Sequence, residues 1–190
     1  MKKQGILKAK DDLAEARKAS TEMQKAKNLD DAEHAWIKFV EKFGRFFNKL
    51  GAAAKGDPRS EGWVATLNQK RSADEMLCYL WQARNCVEHS IEDIAERRPG
   101  SIGIGGSFVH FESLVVKNGR ISGKLNGSPD MFIRNQPPTL ALLPITNRGQ
   151  IYQVPSNHLG EPITATPNSL AHLALAYGER IITEAEARVK

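Results

Sequence analysis

The chain has 190 residues, of which 41% are hydrophobic and 26% are charged, a balance typical of one globular domain or of one domain with a sizeable insertion. No apolar stretch approaches the ~20 residues that a membrane-spanning helix needs, and the N-terminal residues lack the apolar region of a signal peptide. The formal net charge is +5 and the sequence pI is near 9.2. Because there is no membrane span or signal peptide and the two cysteines cannot bridge each other, a cytoplasmic, reduced protein is expected.

The positive charge is concentrated at the N-terminus, where residues 1–56 hold 13 Lys and Arg against 8 Asp and Glu. Such a basic segment fits a polyanionic partner such as RNA, and it fits a solvated helix face equally well. Charge alone leaves both interpretations open.

Helical patterns dominate the first hundred residues. A charged helix with a thin apolar stripe is predicted around 6–25, and a short helix around 61–69. Between them, a stronger pattern predicts a helix that Asp30 and Glu33 cap and that Gly51 ends. Its apolar residues recur at helical spacing and are expected in the core: Trp36, Phe39, Val40, Phe43, Phe47 and Leu50.

The third main helix is predicted to open at the sequence "SADE", with Ser72 as N-cap and Glu75 three residues later as its capping-box partner. It is predicted to continue through "ERR" and to end at Pro99 and Gly100. Cys78 and Cys86 lie eight positions apart on this helix, about 12 Å along its axis. They therefore cannot form a disulfide with each other.

After Gly100 the pattern changes to β-structure. One hairpin is predicted to turn at Asn118–Gly119 and another at 147–149, and a last helix begins at Thr166–Pro167. The apolar face of that helix is expected to pack back on the helices of the N-terminal half. The predicted fold class is α+β, mainly α: an antiparallel helical bundle, residues 1–98 and 166–190, with a small β-rich insertion, residues 101–162, between the third and last main helices.

A polar trio lies on the third main helix, in the sequence "RNCVEH". On a helical wheel, Asn85 and His89 lie opposite the apolar stripe and Arg84 lies at its flank. A buried core histidine is thereby excluded, and a solvated histidine beside an Arg84–Glu88 surface pair remains as the plain alternative. Trp81 and Cys78 share the face of His89. A tryptophan there indicates that a second subunit or the β insertion covers this face.

The trio resembles the motif of the HEPN family, in which an Arg is followed, four to six residues later, by a His, often with Asn directly after the Arg. Arg84, Asn85 and His89 match the spacing with four intervening residues, late in a helix of a helical bundle. The resemblance covers the helical parts of the chain, and the β insertion lies outside the common core of the family.

The resemblance implies a metal-independent endoribonuclease that acts as a homodimer, with no cofactor. RNA carries its own nucleophile, the 2′-hydroxyl, so the enzyme has to supply proton transfer, here by His89, and charge stabilisation at the phosphate, here by Arg84. Asn85 orients the imidazole or the phosphate. Apart from the resemblance, Lys70 and Arg71 precede the third main helix, where they either hold RNA phosphates or form a solvated pair. The family also implies a toxin or defence effector that an antitoxin partner holds in check.

Two other functions fit the same residues. One is a non-catalytic HEPN-like module that binds RNA or protein through this face, and the other is a structural protein in which Trp81 and His89 form dimer contacts. Further motifs indicate little: "GSIGIGG", residues 100–106, leads into a strand without the Lys-Ser/Thr of a phosphate loop. No metal site is predicted, because the remaining histidines lack the spacing of metal ligands. They are His34, His110, His158 and His172.

Overall fold

The computed structural model describes residues 1–117 and 120–189, with Arg120 described by its backbone alone. Helix accounts for 53% of the chain and strand for 24%, so the predicted class, α+β and mainly α, is confirmed. The helices are α1 (Lys3–Gln24), α2 (Leu29–Ala54), α3 (Pro58–Ala73), α4 (Glu75–His89) and α5 (Pro167–Glu186). No helix in these ranges is long and apolar enough to cross a membrane.

The strands of the described residues form short two-stranded sheets. They are β1 (Ala95–Arg98), β2 (Ser101–Gly105), β3 (Val109–Lys117), β4 (Arg120–Gly127), β5 (Phe132–Gln136), β6 (Thr139–Leu142), β7 (Ile145–Asn147), β8 (Gln150–Tyr152), β9 (Asn157–His158) and β10 (Glu161–Pro162). β1 pairs with β6, and the antiparallel pairs are β2 with β5, β3 with β4, β7 with β8, and β9 with β10.

The chain divides into two compact units, Met1–Arg97 with Leu140–Lys190, and Arg98–Thr139. The first, called the helical unit below, therefore includes residues 140–162, which the sequence assigned to the insertion. These residues belong there because they bond to α4: the Tyr79 hydroxyl donates to the Leu143 carbonyl at 2.8 Å, and the Asn147 amide donates to Gln82 at 2.7 Å.

The core of the helical unit is built on α2. Its predicted core residues are all buried, and the rings of Trp36, Phe39 and Phe43 stack one on the next. Both predicted ends of α2 are wrong. Asn28 caps the helix by accepting from the Asp31 N–H, and the helix passes through Gly51 because the next turn still buries Ala53 and Ala54.

The last helix is formed and placed as predicted. Thr166 caps α5 and Pro167 occupies its first turn, where the missing N–H costs nothing. The helix packs against α1 and α2, with Gly178 so close to Leu13 that an added Cβ would lie 2.7 Å from its side chain. The hairpin at Asn147 also forms as predicted, with Arg148 and Gly149 both at positive φ, as a two-residue turn requires.

Both ends of α4 differ from the prediction. Asp74 is the N-cap, while Ser72 belongs to α3 and donates its hydroxyl to the Asn68 carbonyl. The helix ends at His89, ten residues before Pro99. There, the Ser90 hydroxyl accepts the Glu92 N–H in a local turn that competes with helix continuation.

The other predicted hairpin, with strands on either side of residues 118–119, is present as β3 and β4. The strands pair in register from Val109 opposite Gly127 to Lys117 opposite Arg120. The predicted turn Asn118–Gly119 lies outside the described residues. Cys78 and Cys86 are both free thiols, as their spacing on one helix predicts.

Candidate functional site

The candidate site lies at the C-terminal end of α4, and Arg84 is its most enclosed member. The Arg84 side chain is 14% exposed, and its aliphatic stem packs on α2 at Gly44. A Cβ at position 44 would lie 2.5 Å from Arg84 Cγ, so glycine is what lets the two helices approach here. The stem of Arg84 is therefore held by packing, and the guanidinium is delivered to a fixed place.

The guanidinium of Arg84 has two polar partners on its own helix. Nη1 donates to Asn85 Oδ1 at 3.2 Å, and Nη2 forms an ion pair with the Glu88 carboxylate. Nε is buried with no hydrogen-bond partner among the described residues. The structure thus brings together Arg84 and Asn85, as the motif requires, and adds Glu88 as the counter-ion.

His89 is the last residue of α4, and its side chain is 73% exposed. Its Nε2 lies 3.8 Å from Oε2 of Glu88, the same oxygen that pairs with Arg84. Since 3.8 Å exceeds the length of a hydrogen bond, the imidazole is held loosely and its side chain is largely open to solvent. Glu88 thus connects the Arg and the His of the motif.

The predicted phosphate-binding pair, Lys70 and Arg71, occupies the last turn of α3, where the two side chains have different surroundings. Lys70 is exposed, whereas the Arg71 guanidinium lies 3.8 Å from the centroid of the Trp81 ring and 4.9 Å from that of Phe47. Burial lowers the pKa of Arg71 to about 10. Arg71 is therefore half-buried in a cation–π stack. Its guanidinium is less open to a phosphate than the ammonium group of the exposed Lys70.

Trp81 is half-buried, and part of its cover comes from the same chain. Arg71 stacks on its ring, and the guanidinium of Arg84 lies 5.7 Å from the ring centroid. The tryptophan therefore connects α3 to the candidate site. Cys78, on the same side of α4, is partly exposed, and desolvation raises the pKa of its thiol.

Sequence reasoning missed one polar cluster, at the other end of α4. The Asp74 carboxylate lies 3.1 Å from His158 Nδ1 and accepts the Leu159 N–H at 2.7 Å, while it also caps α4. Both side chains are 7% exposed. The only sequence signal for this cluster is Asp74 itself, a polar residue directly before a helix. Nothing in the sequence indicates that it pairs with His158, 84 positions away.

Among the described residues, no group of three or more His, Cys, Asp or Glu side chains is placed to hold a metal ion. Comparisons of the chain with family models, curated proteins and solved structures find no match. The resemblance to the HEPN family accordingly rests on Arg84, Asn85 and His89 and on their place late in a helix of a helical bundle.

Proposed function

We propose that the protein is a HEPN-type endoribonuclease of the cytoplasm that cleaves RNA as a homodimer and without a metal ion. One observation carries the proposal: Arg84 and His89 meet at a single oxygen of Glu88 on the open end of α4. A guanidinium and an imidazole at one end of one helix support a shared action on one phosphodiester.

The reaction needs little beyond these two groups. The 2′-oxygen attacks the adjacent phosphorus and gives its proton to His89, the P–O5′ bond breaks, and the departing O5′ takes a proton from an acid. The products are a 2′,3′-cyclic phosphate and a 5′-hydroxyl. Arg84 stabilises the charge that develops on the phosphate oxygens, as phosphate replaces Glu88 at Nη2.

The homodimer supplies the second proton-transfer group. One His89 cannot serve as base and acid in the same step, and the solvent-facing imidazole at the end of α4 is free to approach a second copy. Two histidines that face each other across a two-fold axis then act as base and acid. Cleavage of RNA by such a dimer also fits a toxin or defence effector, which needs an antitoxin partner to hold it in check.

A second candidate function is a non-catalytic module that binds RNA through the same end of α4. It is favoured by the enclosure of Arg84, whose guanidinium already has Glu88 and Asn85 as partners. A module of this kind retains RNA binding when His89 is replaced, whereas the enzyme loses cleavage.

The test is cleavage of mixed cellular RNA in EDTA by wild type, His89→Ala and the control His172→Ala, which replaces an exposed histidine on α5. We expect wild type and His172→Ala to cut equally, and His89→Ala to cut on the order of 10² to 10⁴ times more slowly. An oligonucleotide with hydrogen in place of the scissile 2′-hydroxyl should stay intact. Equal cleavage by His89→Ala and wild type rules out the catalytic function.

A further inference from the structure

The unit Arg98–Thr139 is a two-stranded ribbon made of β2 with β5 and of β3 with β4. None of its described residues is buried. A two-stranded hairpin without a core is only marginally stable in water, so a ribbon of this length is expected to gain stability from a ligand.

The register of β3 and β4 gives the ribbon two unlike faces, because successive side chains point to opposite sides and a bulge lies between Phe111 and Ser113. One face, called the apolar face, carries no charged residue: Val109, Phe111, Leu114, Val116, Ile121, Gly123, Leu125 and Gly127. The other, called the cationic face, carries aromatic, polar and basic residues: Phe108, His110, Ser113, Val115, Lys117, Ser122, Lys124, Asn126 and Ser128.

The cationic face begins with two aromatic rings. The rings of Phe108 and His110 are parallel within 4°, their centroids are 6.5 Å apart, and Phe108 is 61% exposed. Lys124 follows on the next rung, opposite Ser113, and Lys117 closes the row at the far end of β3. The face spans roughly 30 Å, at about 3.3 Å per residue, which is long enough for several nucleotides.

The charges of the ribbon favour an anion. Residues 98–139 hold 5 Lys and Arg against 2 Asp and Glu. Both acids are engaged locally: Glu112 accepts from the Asn126 amide, and Asp130 accepts from the N–H and hydroxyl of Ser107.

Lys117 is the last residue of β3, and its side chain is exposed. A ring and a cation also occur together on β5, where Arg134 lies 5.9 Å from the Phe132 ring centroid.

We propose that the cationic face of this ribbon binds single-stranded RNA, with bases stacked on Phe108 and His110 and phosphates paired with Lys124 and Lys117. Exposed rings interleaved with cations suit unpaired bases, whose faces are open, and do not suit a duplex, whose bases are already stacked. The choice of RNA rests on the proposed function, since the bound strand is the substrate of that site.

Binding is measured apart from cleavage, by fluorescence anisotropy of a labelled 12-nucleotide single strand with full-length protein that carries His89→Ala. We expect Phe108→Leu, which keeps the apolar volume and removes the ring, to raise Kd on the order of tenfold. Lys117→Gln with Lys124→Gln should lower the slope of log Kd against log salt by about 1.4, or about 0.7 for each phosphate contact. Glu112→Gln should lower Kd, because it removes a negative charge beside the phosphates.

The matched control is Leu114→Thr with Val116→Thr on the apolar face, which should leave Kd unchanged. The proposal is overturned if Phe108→Leu and the lysine pair bind as the parent does, or if duplex RNA competes as well as the single strand. It is also overturned if the control variant alone loses binding and dissociates a dimer in light scattering, since the ribbon then docks a second copy. If the wild type cuts no RNA but the His89→Ala protein still binds the single strand, the proposal for the ribbon is supported and the proposed nuclease function is rejected.

Discussion

The two ends of α4 each pair a histidine with a carboxylate, in opposite surroundings. At the N-terminal end, Asp74 and His158 are both 7% exposed, and the carboxylate accepts three hydrogen bonds, one of which, from the Leu77 N–H, caps α4. At the C-terminal end, His89 is 73% exposed and lies 3.8 Å from Glu88. A histidine bound to a buried carboxylate fixes a loop, whereas an exposed histidine leaves its imidazole accessible to a ligand.

The N-terminal end of α4 should therefore contribute more to the free energy of unfolding than the C-terminal end. The largest effect is expected from a substitution of Asp74. Asp74→Ala removes the cap of α4 and leaves the Leu77 and Leu159 N–H groups and His158 without their acceptor. We expect the free energy of unfolding to fall by about 3 kcal/mol, since bonds to a charged acceptor contribute about 1.5–3 kcal/mol each and are not additive. Urea denaturation monitored by circular dichroism measures the change.

Asp74→Asn is the matched control, because its amide oxygen can still cap α4 while its charge is lost. It should retain roughly half of the stability that Asp74→Ala loses. His89→Ala, at the other end, should change the free energy of unfolding by less than about 0.5 kcal/mol, as surface substitutions do. If His89→Ala destabilises the protein as much as Asp74→Ala, the two ends do not differ in the way proposed.

The C-terminal end depends on packing through one position, and this gives an intermediate effect. Gly44→Ala puts a Cβ 2.5 Å from Arg84 Cγ, in the middle of a side chain that α2 and α4 enclose. We expect a loss of about 1–3 kcal/mol in the free energy of unfolding, together with slower RNA cleavage because the guanidinium is displaced. Thermal denaturation and the EDTA cleavage assay measure the two effects.

Gly51→Ala tests whether the effect at Gly44 belongs to the site. Gly51 lies in the same helix with no atom within 4 Å of the added Cβ, so the substitution should stabilise the protein by up to about 1 kcal/mol through helix propensity. If Gly44→Ala also stabilises the protein, the approach of α2 to Arg84 is not close enough to matter.

The features that the sequence predicted are those set by neighbouring residues. Thr166 and Pro167 start α5 because capping is local, and helical spacing predicts that Arg84 and His89 lie on one helix, off its apolar stripe. The end of α4 was misplaced because the apolar period continues through Ile91, which is fully exposed in the structure. Apolar periodicity indicates which residues share a helix face, but it does not show at which residue the helix ends.

Features that depend on residues distant in the sequence could not be predicted in the same way. The pairing of Asp74 with His158 needs the β9–β10 turn to be folded onto α4, and the burial of Arg71 needs Phe47 from α2. Such contacts arise from tertiary packing, which no local pattern encodes. Of a basic pair that looks solvated in the sequence, Arg71 is therefore half-buried while Lys70 stays exposed.

The smallest expected effect is a pH dependence at the N-terminal end of α4. Glu75 is exposed, and hydrogen bonds from the N–H and hydroxyl of Ser156 and from the N–H of Asn157 lower the pKa of its carboxyl from the usual 4.5. A carboxyl whose pKa is lower in the folded state adds stability above its unfolded pKa, and that stability is lost as pH falls through the folded value. The contribution of Glu75 should therefore be complete at pH 7, start to fall near pH 4.5, and be lost once the pH is below the folded pKa.

Glu75→Gln isolates this contribution, because the amide oxygen keeps the three hydrogen bonds and the charge is removed. Wild type should be more stable than the variant at pH 7, and the two should converge in urea titrations between about pH 5 and pH 3. Asp130, whose pKa is lowered to about 2 by hydrogen bonds from Ser107 and Ser128, titrates in both proteins and cancels in the difference. If the difference stays constant from pH 7 to pH 3, the hydrogen bonds from Ser156 and Asn157 to Glu75 do not depend on the charge of Glu75.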